Sequence, residues 1–239
     1  MRVLVLILLL SANTLFANQP DSVKIKKWAI GLSYSPDYCY RIPYTGKSGA
    51  FSTTAEKGKL GFTAGVNALY RLLDKVGVEF GILYSTKGQK ISTPAWTIPG
   101  GSTYDPSIPN YNEGIYQGEH HLSYTYKYLE LPLKVNIYVV NNRFKVFPSV
   151  GCSANIFMGK ITTISSEGNK EVLHTYDPKN IPGVEFAVLA GIGLSYDINK
   201  NIFVKLEPSF RTFIRPLVDG PISGTLYSVG ANAGIYCNF

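Results

Sequence analysis

The sequence predicts an all-β fold, an eight-stranded antiparallel transmembrane β-barrel with short periplasmic turns and long extracellular loops. Three observations carry that reading. Uncharged apolar residues recur at every second position in eight separate stretches, the connections between stretches alternate short and long, and aromatic residues mark the ends of the apolar faces. A wall that faces lipid on one side and a lumen on the other has this period, and bacterial single-chain barrels have an even number of strands.

The stretches are taken in chain order. Trp28, Ile30, Leu32 and Tyr34 share one face of the first, and the even positions from Leu60 to Tyr70 and from Val76 to Tyr84 form the second and third. The odd positions from Leu129 to Ile137 make the fourth, and the even positions from Phe144 to Met158 the fifth. Even positions from Val184 to Tyr196 and from Ile202 to Ile214 follow, and the last face runs on odd positions from Thr225 to Phe239. None of these positions is charged, in a chain whose charged fraction is 16%. Period two with one uncharged face is the signature of a strand, not of a helix.

The connections near 72–75, 140–143 and 198–201 are tight, whereas those spanning about 37–58, 92–121, 160–181 and 216–223 are long. Trp28, Tyr70, Phe144, Tyr196 and Phe239 fall at the turn-side ends of the apolar faces and are expected to form an aromatic girdle at one membrane interface. Tyr34, Tyr84 and Tyr227 lie toward the loop side. Pro132, Pro148 and Pro208 would each remove a ladder hydrogen bond, so local bulges are expected at them. Apolar residues between Leu122 and Tyr128 sit on even positions and from Leu129 on odd ones, which predicts a bulge near Tyr128.

At the start of the chain, Arg2 precedes an apolar run from Val3 to Leu10, and Ala17 supplies a small residue for cleavage. Residues 1–17 are therefore expected to be a signal peptide and residues 18–239 a single outer-membrane barrel domain, since the run is too short to span a bilayer. The formal net charge is +7, but an exported chain without a long basic cluster is expected to meet lipid and not nucleic acid. Cys39, Cys152 and Cys237 show no metal-type spacing and are expected to be unpaired, with Cys39 at the external end and open to a thiol reagent.

The polar face carries the charges. Glu79, Glu130, Glu185, Asp197 and Glu207 share its phase with Lys27, Arg71, Lys134, Lys145, Lys205, Arg211 and Arg215. Eight strands leave room for side chains only, so these groups are expected to pair across a closed lumen. Glu79, Glu130, Lys134, Glu185, Lys205, Glu207 and Arg211 are the expected core of that charge network. The competing reading of the same residues is an ion path.

Other candidate chemistry is thin. Gly46-Lys47-Ser48 lacks the upstream glycine of a phosphate-binding loop, where Arg41 stands instead. Glu119, His120 and His121 are neighbours that point to alternate faces, and His174 lies in another connection, so no metal site is expected. Ser85 and Ser123 beside His120 or His121 are the candidates for an outer-membrane hydrolase or transferase. No catalytic residue and no cofactor are expected from these fragments.

The stretch Tyr128-Leu129-Glu130-Leu131-Pro132-Leu133-Lys134, the opening Gly31-Leu32-Ser33-Tyr34-Ser35-Pro36-Asp37-Tyr38 and the terminal Phe239 resemble the PorT-like outer-membrane β-barrel family of Bacteroidetes. The resemblance spans most of the mature chain. It implies the outer membrane of a Gram-negative bacterium, contact with outer-membrane lipid, and recognition of the last strand, ending at Phe239, by the barrel-assembly machinery. The expected function is a non-enzymatic barrel with a closed lumen that presents extracellular loops for binding or for envelope or secretion assembly. The alternative is a small-solute channel or an outer-membrane lipid-modifying enzyme.

Overall fold

The computed structural model describes residues 27–43, 56–93, 120–166, 169–175, 181–219 and 222–239. Eleven strands follow one another: β1 (Trp28–Pro43), β2 (Glu56–Leu73), β3 (Val76–Thr93), β4 (His120–Ile137), β5 (Val140–Asn141), β6 (Phe144–Ser166), β7 (Asn169–Thr175), β8 (Val184–Asp197), β9 (Ile202–Phe213), β10 (Leu217–Asp219) and β11 (Ile222–Asn238). Eight of them are the staves of a barrel in the order β1-β2-β3-β4-β6-β8-β9-β11, and β1 pairs back onto β11 to close it. That last seam runs from Ala29 opposite Asn238 to Pro43 opposite Gly224. Every stave pair is antiparallel. The remaining three are short, with β5 and β7 pairing with β6, and β10 with β11.

The burial pattern is that of a soluble protein turned inside out. Leu32, Leu60, Ile82 and Ile192 are exposed by 63–75% on the outer wall, while charged side chains such as Glu79, Glu130 and Glu207 are almost fully buried. The wall needs no partner but lipid, and closure leaves no unpaired edge in the hydrocarbon. No helix among the described residues is long and apolar enough to cross a membrane.

Trp28, Phe144, Tyr196 and Phe239 are exposed on this outer wall, and Tyr70 is half-buried against Trp28 with ring centroids 4.7 Å apart. All five lie at the end where the tight turns are. The Arg143 guanidinium lies 5.1 Å from the centre of the Tyr196 ring, tying the turn before β6 to this level.

The strands outrun their apolar pattern. Residues 37–43 belong to β1, 56–58 to β2, 92–93 to β3 and 160–166 to β6, so those connections are shorter than the alternation implies. The outer wall has no need of apolar residues above the lipid, and the hydrogen-bonded ladder continues without them.

Two further expectations change. β4 keeps one phase throughout, with Tyr124, Tyr126, Tyr128, Glu130 and Lys134 all buried on the lumen side. Its apparent slip is a change in lumen chemistry, from tyrosines to charges. The irregularity at this level belongs to the partner strand, where Lys127 faces Gly159 but Tyr128 faces Phe157, so Met158 is the extra residue. Nor do the prolines create bulges: the β3–β4 ladder skips from Leu83–Glu130 to Phe80–Leu133, and β8–β9 from Leu194–Leu206 to Gly191–Ser209, each without change of register. A missing N–H costs one rung there and leaves the alternation intact.

The cysteines are free. Cys39 and Cys237 stand at opposite ends of the β1–β11 seam, opposite Ser228 and Ile30 respectively. Cys39 nevertheless faces the lumen and is fully buried, which closes it to the reagent access expected from its position; Cys152 and Cys237 are exposed on the wall.

Candidate functional site

Among the described residues, buried polar chemistry is concentrated in the lumen, and alternation builds it: each stave turns every second side chain inward. Toward the turn end, Glu79 (β3), Lys134 (β4), Lys205 and Glu207 (both β9) meet. Lys134 Nζ lies 2.9 Å from Glu207 Oε2 and 3.3 Å from Glu79 Oε1. Lys205 Nζ is 2.7 Å from Glu207 Oε2 and also pairs with Glu79 Oε2. The carboxylates accept further bonds from Asn136 Nδ2 (2.9 Å) and Tyr236 OH (3.3 Å) onto Glu79, and from Ser149 Oγ (2.6 Å) onto Glu207. Two acids and two bases balance, and every carboxylate oxygen has a donor. This is the condition under which buried ions are tolerable.

A second balanced cluster lies nearer the loop end. Arg211 Nη1 stands 2.7 Å from Asp37 Oδ1, and Arg211 Nε 3.8 Å from Glu130 Oε1. Lys87 Nζ completes it, 2.9 Å from Glu130 Oε2 and 2.6 Å from Ser85 Oγ. Ser35 Oγ and Thr63 Oγ1 donate to Asp37 at 2.7 and 2.5 Å. Gly230 sits directly opposite Asp37, and a β-carbon there would collide with the Asp37 carboxylate, so the close approach requires glycine.

Between the clusters is a cavity of about 20 Å³ lined by Asn67, Glu130, Lys134, Glu207, Arg211 and Asn232. That is room for about one water molecule. Above the second cluster, Tyr124, Tyr126 and Tyr128 pack with Phe213 and Leu226 inside the lumen. Below the first, the rings of Phe203 and Tyr236 stack with centroids 5.0 Å apart. Charge and aromatic layers thus succeed one another along the axis.

The residues singled out from the sequence divide as follows. Glu79, Glu130, Lys134, Lys205, Glu207 and Arg211 are brought together in the two clusters. Lys145 pairs with Asp197 near the turns, and the Arg71 guanidinium lies 5.4 Å from the Tyr138 ring centre. Lys27 and Arg215 are exposed, which removes them from the lumen. Glu185 is buried beside Asn155, its cross-strand partner, but neither carboxylate oxygen has a hydrogen-bond partner and it forms no ion pair among the described residues.

An unpaired buried carboxylate destabilises, so Glu185→Gln is expected to raise the temperature at which the compact band is lost on unboiled gels. A fall in that temperature would mean that Glu185 has a partner after all.

Asp37, Arg41 and Lys160 are buried lumen residues that fell in stretches read as loops, and Lys87 is one that lies beyond the apolar face read for the third strand. A signal was present for the first two. Pro36, Tyr38, Tyr40 and Ile42 continue the even-numbered outward series of β1, which turns Asp37 and Arg41 inward.

The serine and histidine candidates do not assemble. Ser85 accepts from Lys87 inside the lumen, Ser123 accepts from Lys59 Nζ at 2.8 Å on the outer wall, and His121 is exposed there. His174 is exposed on β7. Residues 1–17, Gly46-Lys47-Ser48, Glu119 and the His120 side chain lie outside what the structure describes. Among the described residues no group of three or more His, Cys, Asp or Glu could hold a metal.

The model of the outer membrane protein beta-barrel domain matches residues 14–212. The chain belongs to this family. The barrel accordingly resides in the outer membrane. No curated relative matches the sequence. Among solved structures, the chain is similar to neisserial surface protein A, NspA (12% identity, 89% of this chain and 97% of that one, TM-score 0.40). It is also similar to Ail, the attachment invasion locus protein of Yersinia pestis (13%, 88% and 99%, TM-score 0.38), and to the outer membrane protease OmpT of Escherichia coli (9%, 92% and 99%, TM-score 0.40).

Proposed function

We propose that this family member is a non-enzymatic barrel of the PorT-like, Bacteroidetes type, with a closed lumen, whose loop end faces outward and presents its connections for binding or for envelope or secretion assembly. The observation that carries the reading is the occupancy of the lumen: two charge-balanced clusters enclose a cavity of about 20 Å³. A hydrated ion would have to break several buried ion pairs to pass. In this reading the tight turns lie in the periplasm, the wall contacts outer-membrane lipid, and the assembly machinery engages the β11 strand that leads to Phe239.

Purified protein in planar bilayers is therefore expected to pass no steady ion current above the bare-membrane level. Steady single-channel steps would replace this reading with a small-solute channel. Turnover of outer-membrane lipid by the same preparation, lost on denaturation, would replace it with a lipid-modifying enzyme.

A further inference from the structure

Among the described residues, the outer wall carries a cluster of lysines at the loop end, on β2, β3 and β4. Lys57 on β2 and Lys90 on β3 are both exposed and stand directly opposite each other in the ladder. Like charges at directly opposed positions repel and weaken a sheet. Lys59 reaches across to β4, donating from Nζ to Ser123 Oγ at 2.8 Å, to the Tyr124 carbonyl at 3.3 Å and to Thr125 Oγ1. Lys127, half-exposed on β4, faces Thr86. Lys57, Lys90 and Lys127 form no ion pair among the described residues.

Elsewhere at this height the exposed Arg215, just past the end of β9, stands apart from the lysines, and the neighbouring described wall positions are uncharged. Tyr38, Tyr40 and Ile42 on β1, Phe210, Thr212 and Ile214 at the end of β9, and Val184 and Phe186 on β8 carry no charge. No described carboxylate faces outward beside the lysines. The patch begins where the lipid-facing surface ends: Tyr34, Phe62 and Tyr84 form a row of rings with successive centroids 6.0 and 5.9 Å apart. Thr86, opposite Lys127, lies two residues beyond Tyr84 and Lys90 six, which at about 3.4 Å per residue places the lysines within about 7 to 20 Å of that row. Aromatic rings mark the headgroup level of a membrane.

The geometry points to a binding site for phosphorylated lipid headgroups on this face of the barrel. The acyl chains lie against the apolar wall of β2–β4, the phosphates meet Lys127, and the more distal anionic groups meet Lys57 and Lys90, while Lys59, its three donors taken by β4, adds positive charge beside them. An anion between Lys57 and Lys90 relieves the repulsion that their register imposes. Continuity of the patch with the lipid-facing wall selects a membrane lipid over a soluble anion. The placement in the outer leaflet rests on the orientation proposed above, whereas the site itself is a property of the wall.

The test uses the full mature chain folded in nanodiscs of phosphatidylcholine, with bisphosphorylated lipid A as the probe and its dephosphorylated form as the control. Retention of the probe is expected to fall with rising salt, and Lys57→Gln, Lys90→Gln and Lys127→Gln combined should weaken it by at least about tenfold, since each lysine near an anionic surface contributes measurably. Lys75→Gln with Lys200→Gln, at the turn end, should leave it unchanged. Inorganic phosphate at millimolar concentration should not displace the lipid.

Equal retention of the dephosphorylated form, full displacement by inorganic phosphate, or equal retention by the triple variant with its compact gel band intact would each overturn the proposal. Orientation is read separately. Lys90→Cys on whole cells should react with an impermeant thiol reagent above the wild-type background. Failure of labelling with lipid retention preserved would overturn the orientation and leave the site standing.

Discussion

Glu79→Ala is expected to cause one of the two largest losses of stability among single changes in the lumen. Its carboxylate takes contacts from Lys205, Lys134, Asn136 and Tyr236. Without it, Lys134 and Lys205 share Glu207 alone, and one positive charge is left uncompensated in the buried lumen. Breaking a buried pair in this way costs about 3 to 5 kcal/mol. The compact band on unboiled gels should therefore vanish at a clearly lower temperature than in the wild type. Lys200→Gln, at an exposed turn, serves as the control. A shift no larger than the control's would show that the cluster contributes nothing to the fold.

The second large effect is expected at Arg211, which joins staves that are distant around the barrel. It reaches Asp37 on β1 and Glu130 on β4 from its place on β9. Arg211→Met leaves both carboxylates with Lys87 as the only base of the cluster, again at a cost of about 3 to 5 kcal/mol. Asp37→Asn combined with Arg211→Met restores the balance, because Lys87 and Glu130 then remain as one pair. Most of the lost stability should return in the double variant, since neutral replacement of a buried pair is often nearly neutral in energy. A double variant whose loss is the sum of the two single losses would mean that Asp37 and Arg211 act independently.

The wall of the barrel was legible in the residues because two solvents act on it. From Leu60 to Tyr70, or from Ile202 to Ile214, lipid on one side and a polar lumen on the other impose opposite demands on successive side chains. The alternation therefore appears in the composition itself. The lumen phase of Glu79, Glu130, Lys134, Lys205, Glu207 and Arg211 follows from the same alternation.

The strand extensions were hidden for the converse reason. Above the lipid, β3 continues through Lys87 and Gln89 and β6 through Lys160, where neither face has to be apolar. The tyrosines of β4 misled in a related way, because an aromatic layer inside the lumen at Tyr124, Tyr126 and Tyr128 looks like a wall that has changed face.

Local pattern alone thus determined that this chain is a closed, lipid-facing barrel and, inside the eight alternating stretches, which side chains point inward, with Lys27 and Arg215 at their ends as the exceptions. Only the closed tertiary structure decided the partners: Lys134 with Glu207, Lys205 with Glu79, Arg211 with Asp37, and Glu185 with none among the described residues. Period two is a property of each strand by itself. Which inward groups stand at the same height depends on the stagger accumulated around eight staves and on the β1–β11 seam, and no single segment of sequence contains that sum.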